Sequence, residues 1–149
     1  MARRFGVAIV KDVSLVADTV QTLIQLIAAT NHAVAITEIS FSAKGTNNTY
    51  EPIEVELIRQ TDAGTAVALS LVKRDDSIAD TLDTTAQKTF TAEPTEGDLL
   101  DSFTVHPQSA LFLQEHDLVV PVIGASDRVG LRAKAQNAVD VNVKICFEE

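Results

Sequence analysis

The sequence predicts one all-β domain, a jelly-roll-like antiparallel β-sandwich, and three observations lead to it. Apolar and polar residues alternate with period two along several short runs. Clusters of Gly, Pro, Asn and Asp separate those runs. The 149 residues are 46% hydrophobic, which is enough to bury a core without disulfides or metals.

Taken in order, residues 1–12 are expected to form a flexible N-terminal arm. Its Arg3 and Arg4 are the candidate partner-binding residues, although a frayed terminus explains them equally well. Lys11, Asp12 and Asp18 interrupt the apolar run that follows, so no export signal is expected. From Val13 to Ile27 the spacing of Val13, Val16, Ala17, Val20, Leu23, Ile24 and Ile27 suits a helix. The β-branched content of Val20 to Ile27 favours a strand over Thr19 to Ile27. Pattern alone leaves both open.

Thr37, Ile39 and Phe41 form one face of a strand, and Ile53, Val55 and Leu57 form one face of the next. A turn-rich segment, Lys44-Gly45-Thr46-Asn47-Asn48, lies between them. Asp75 to Leu82 is expected to make one short helical turn capped by Asp75 or Asp76. Shorter strands are expected at Thr85 to Ala92, Ser102 to Val105 and Ala110 to Gln114. Leu118 to Ile123 contains Pro121, which cannot donate to a ladder, so this strand should be at an edge or bulged. Val129, Leu131, Ala133 and Ala135 alternate with polar residues or glycine, as do Val139, Val141, Val143, Ile145 and Phe147 with Asp140, Asn142, Lys144 and Cys146. A turn at Gln136-Asn137 suggests that the two runs form a hairpin.

Charge narrows the function. A net charge of −9 and a pI of 4.7 argue against nucleic acid, because phosphate contacts need clustered Lys and Arg. They argue equally against an anionic membrane surface, and no run is long and apolar enough to span a bilayer. The lone Cys146 sits in a strand-like run and reads as a buried, inert thiol.

Catalytic patterns are not found. His32, His106 and His116 lack ligand-spaced His or Cys neighbours, so neither a metal nor another cofactor is expected. Acidic neighbours such as Asp75-Asp76 and Glu148-Glu149 read as solvated charge. There is no Gly-x-Ser-x-Gly elbow or phosphate-cradling glycine loop. A non-enzyme is expected. With no Trp and one Tyr, Tyr50, aromatic platforms for sugars are scarce, and the six phenylalanines read as core.

Several phrases resemble a family of tailed-phage capsid decoration (cement) and head structural proteins. They are Val55-Glu56-Leu57-Ile58-Arg59-Gln60-Thr61 with Ala63-Gly64-Thr65, then Thr91-Ala92-Glu93-Pro94-Thr95 with Gly97-Asp98. Val105-His106-Pro107-Gln108, Val129-Gly130-Leu131-Arg132 and Phe147-Glu148-Glu149 follow in order. The resemblance implies a jelly-roll-type subunit that forms a homotrimer and binds the major capsid protein on the outside of a virion, after synthesis in the host cytoplasm. It implies no catalytic residue. A β-sandwich receptor- or carbohydrate-binding module on a virion is the alternative. A cupin-like metalloenzyme would require the histidines to converge.

Overall fold

Side chains that alternate between buried and exposed positions organise twelve strands in the computed structural model, which describes residues 3–45, 51–77, 79–114 and 122–149. The strands are β1 (Phe5–Leu15), β2 (Gln21–Ile27), β3 (Val34–Ala43), β4 (Ile53–Gln60), β5 (Thr65–Leu69) and β6 (Val72–Lys73). They continue with β7 (Thr85–Ala92), β8 (Glu96–Val105), β9 (Ala110–Gln114), β10 (Val122–Ile123), β11 (Arg128–Lys134) and β12 (Val139–Glu148). Every pairing between them is antiparallel. No helix is long and apolar enough to cross a membrane among the described residues.

Two sheets result. Sheet A runs β10-β3-β12-β1-β6, with β9 also paired to β3, and sheet B runs β5-β7-β2-β11-β4-β8. Strands β1, β2, β3 and β4 therefore alternate between the sheets, and so do β8, β9, β11 and β12. This is jelly-roll connectivity, with β5, β6 and β7 inserted between the two halves. The core lies between the sheets and is filled by Phe41, Phe147, Leu15, Ile24, Leu26, Ile36, Ile53, Leu57, Leu131 and Ile145, among others.

The expected faces of β4 and β12 are the buried ones: Ile53, Val55 and Leu57, and Val139 through Phe147 at every second position. The hairpin between the last two strands is not formed. β11 lies in sheet B between β2 and β4, whereas β12 lies in sheet A between β1 and β3. The chain crosses the sandwich over residues 135–138, with Ala135 and Val139 both buried. Alternation shows which face of a strand is buried, and says nothing about which sheet holds it.

Three further expectations change. Residues 5–12 belong to β1, paired with β12 from Phe5↔Glu148 inward, so they are not a free arm. Residues 13–27 form no helix: Val13 lies near the end of β1, Val16, Ala17 and Val20 lie in the connecting turn, and Leu23, Ile24 and Ile27 belong to β2. The described part of 75–82 is a loop, because the Asp75 carboxylate accepts from the Ser77 amide (3.0 Å) and hydroxyl (2.5 Å) in a tight turn instead of capping a helix. In β3 the inner face changes partway along. Ile39 and Phe41 are buried, but Thr37 is the extra residue of a bulge opposite Cys146 and Phe147, and Ile36 points inward in its place. The described part of the Pro121 strand, β10, does lie at the edge of sheet A. Pro121, Tyr50, His116 and the Thr46-Asn47-Asn48 part of the turn-rich segment lie outside the described residues.

Candidate interaction surface

Arg3 and Arg4, the expected contacts for a partner, are engaged within the chain. Arg3 is exposed and pairs with Glu148 at 2.8 Å. The Arg4 side chain is only 15% exposed and lies between Asp83 (2.8 Å) and Glu149 (3.2 Å), whose own side chain is fully buried. Glu149 in turn accepts from the amides of Asp83 and Thr84, each at 2.9 Å, and from the Thr84 hydroxyl. The Arg4 guanidinium also donates to the Thr81 carbonyl and lies 3.2 Å from Nε2 of His32. The hydrogen bond to Asp83, with the surrounding carboxylates, holds the Arg4 pKa above its ordinary value, and the same bond holds the Asp83 carboxyl below its own.

His32, Asp83 and Glu149 place one potential ligand atom each within 4.8 Å of one another, which was not foreseen from their spacing in sequence. A permanently charged guanidinium occupies the middle of this group, so it is built as an ion-paired clasp and does not suit a cation. His106 serves a turn: its Nδ1 accepts from the Gln108 amide at 3.1 Å. Cys146 is buried, receives a hydrogen bond from Arg74 at 3.0 Å, and has its thiol pKa pushed up, first by burial and then by Glu38.

Residues from three of the resemblance phrases, Gln60, Gly64, Glu93, Thr95 and Gly130, meet Thr22, Gln25 and Asp62 on the outer side of sheet B in a polar buckle. The Glu93 carboxylate accepts from the amide (3.0 Å) and hydroxyl (2.5 Å) of Thr22. Gln60 donates to the Thr22 hydroxyl (3.0 Å) and accepts from Gln25 (2.9 Å), and Gln25 also donates to the Asp62 carbonyl (2.9 Å). Asp62 accepts from the Thr95 hydroxyl at 2.6 Å and from the amides of Thr95 and Gly64, and the Thr95 hydroxyl is the main cause of its lowered pKa. Gly64 is needed here because its φ of +58° is left-handed and a Cβ would lie 2.3 Å from the Ala92 carbonyl. Beside the buckle, Arg132 pairs with Glu56 (3.2 Å) and Glu96 (2.6 Å). These groups satisfy one another and leave sheet B a polar exterior.

Sheet A is different. One outer row reads Val72, Val7, Cys146, Glu38 and Gln114 across successive strands, and the next reads Ile9, Lys144, Ser40 and Phe112. Val7 and Cys146 are buried but lie outside the core cluster, as expected for residues on the outer side. No family model matches this chain, and no curated protein matches it. Phe112 (62% exposed), Val72 (59%), Ile9 (48%) and Phe5 (39%) share this face, so it holds four of the eight large hydrophobic side chains that are exposed among the described residues. Lys144 lies 5.8 Å from the centre of the Phe112 ring and pairs with Glu38 at 2.7 Å. An open depression of about 340 Å³, lined by Phe5, Thr37, Glu38, Arg74 and Cys146, adjoins the patch.

Phe5 and Phe112 depart from the expectation that phenylalanines fill the core. β1 begins Phe5-Gly6-Val7-Ala8-Ile9-Val10, apolar at both parities, so period two carries no sign of which residues face outward. The signal in the sequence was the excess itself: a strand apolar on both sides needs a covering on both sides.

Proposed function

We propose that this chain is a virion structural protein: a homotrimer that binds the major capsid protein on the outside of a phage capsid and stabilises the shell, as a cement or decoration protein. The observation that carries the reading is the grouping of Phe5, Ile9, Val72 and Phe112 on the outer face of sheet A. Contiguous apolar surface on a folded domain marks a place where another surface packs. The ordered phrases resembling capsid decoration proteins supply the class of partner. A rigid sheet whose exposed apolar side chains are interspersed with Lys144, Glu38 and Arg74 suits a flat protein surface better than an enclosed small ligand.

A protein that binds the assembled shell and not its free subunits stabilises that shell by mass action. At a hundredfold excess over Kd this amounts to about 2.7 kcal/mol per site. Protein added to shells of its own phage that lack it should bind to saturation at a copy number allowed by capsid symmetry. It should also raise the temperature at which those shells rupture. Phe112→Asp combined with Ile9→Asp should abolish binding while the free protein melts as before, since both residues are exposed. Absence of binding to shells at any stage of maturation refutes the reading. Saturating binding without stabilisation refutes the cement role and leaves the receptor- or carbohydrate-binding module.

A further inference from the structure

A second feature lies on the flank of the sandwich, where a cleft of about 330 Å³ opens between β1 of sheet A and β2 and β7 of sheet B. Val10 and Leu23, both buried, contribute apolar surface, and Lys11 and Lys88 are also part of the lining. Lys44, Lys73, Lys134 and Lys144 each face a carboxylate, but Lys11 and Lys88 form no ion pair among the described residues. In a chain of net charge −9, Lys11 and Lys88, without an ion pair among the described residues, line the same cleft, and the Asp12 carboxylate that shares the lining is paired with Lys44. Both sit at irregularities in their strands. Lys11 and Asp12 (φ 54°) form the bulge of β1, and Lys88 precedes Thr89 (φ 55°) where the β5–β7 register shifts. A β-branched residue in left-handed backbone is rare, and bulges re-aim the side chains around them.

The complementary feature is on β8, the far edge strand of sheet B. Its register with β4 slips on either side of Ile58, the partner of Leu99, and there Asp98 is exposed and Leu99 is 53% exposed. Glu96 is paired with Arg132, whereas Asp98 has no basic partner among the described residues. β8 lies four strands from β7, about 19 Å at ordinary strand spacing, so this corner cannot reach the cleft of its own chain.

We propose that the cleft lined by Lys11 and Lys88 receives the Asp98–Leu99 corner of a second copy of this chain. The cleft accommodates the Leu99 side chain over Val10 and Leu23, and the two ammonium groups flank the Asp98 carboxylate. Donor and acceptor surfaces lie in different parts of the molecule, so the contact is head-to-tail, and three copies close as a ring where each turns by a third of a circle on the next. It rests on the trimeric reading above and supplies the contact that reading lacks.

Charge exchange tests it by light scattering on size-exclusion peaks over a dilution series. The wild type should run at three times 16.0 kDa. Lys11→Glu with Lys88→Glu should weaken assembly at least tenfold, as should Asp98→Lys. Mixing the two variants should restore it. Leu99→Ser, which changes no charge, should also weaken assembly, and circular dichroism and thermal melting establish that each variant is folded. A wild type that stays monomeric at every concentration overturns the inference, and so does assembly indifferent to both charge reversals or unrestored by mixing. Shell binding is measured separately: a monomer that still saturates shells refutes this contact alone, and a charge-dependent ring that ignores shells refutes only the capsid reading.

Discussion

Adding a single methyl group at Gly130 tests whether the outer buckle of sheet B holds the sheet together. A Cβ at that position would lie 2.3 Å from Oε1 of Gln60 and 2.5 Å from its Cδ, so the Gln60 amide has to move. The far end of a glutamine usually moves at little cost. Here it is buried, accepts from Gln25 at 2.9 Å and donates to Thr22 at 3.0 Å. Displacing it leaves two buried polar partners short of a hydrogen bond, at about 1–3 kcal/mol each. Gly130→Ala should therefore destabilise by about 2–6 kcal/mol, read as a lower urea midpoint at unchanged slope. Gln60→Ala removes the obstacle, so the double variant should be less destabilised than the sum of the single changes. Gly97→Ala, whose Cβ would meet the Arg59 carbonyl at 3.1 Å, is the milder comparison. A Gly130→Ala midpoint indistinguishable from wild type, or strict additivity with Gln60→Ala, would show that the buckle is decoration on a sheet that stands without it.

Two other outcomes are expected. Val143→Asp puts a charge among the inner residues of β12 and should cost several kcal/mol, about the stability of a small domain. Lys144→Ala, one residue on and facing outward, gives up a partly solvated pair with Glu38 for about 1 kcal/mol, and equal losses by thermal melting would refute the register. Asp62 and Asp83 have pKa values lowered in the folded chain, so their contribution is complete above the ordinary carboxyl value of about 4 and is lost as pH falls through the lower folded values. Urea midpoints should decline on that acid side, and Asp62→Asn should make the decline shallower; an unchanged profile would refute the assignment.

Much of the sandwich was legible in the sequence because one face of β4, β11 and β12 had to be apolar. What escaped were relations between strands. The buried runs ending at Ala135 and beginning at Val139 resemble a hairpin, yet the chain crosses from one sheet to the other between them. Local alternation is identical in both cases, and only packing across the core decides. The outer face of sheet A was hidden for a related reason. Ile9, Lys144, Ser40 and Phe112 come from four strands and become a row only through register. Arg4 was identified as a notable cation, but its partners Asp83 and Glu149 lie too far along the chain for spacing to reveal them. The phrases that resembled capsid proteins were informative about structure in a different way, since residues from three of them proved to belong to the buckle of sheet B.

The placement of β12 sets the order in which sheet A can be completed. β12 pairs with β1 on one side and β3 on the other, and it follows both in the chain. Until it is synthesised, the facing edges of these two strands have no partner, although β6 can pair with β1, and β9 and β10 with β3, on their other edges. Joining Phe5 to Glu148 closes a loop of nearly the whole described chain, at an entropic cost of about 4 kcal/mol before any contact is made. Folding should accordingly be slow for a domain of this size and should finish only after translation has passed Glu148. During that interval the nascent chain is open to wrong pairings with its neighbours, so crowding many copies on one message would favour tangled aggregates over native subunits.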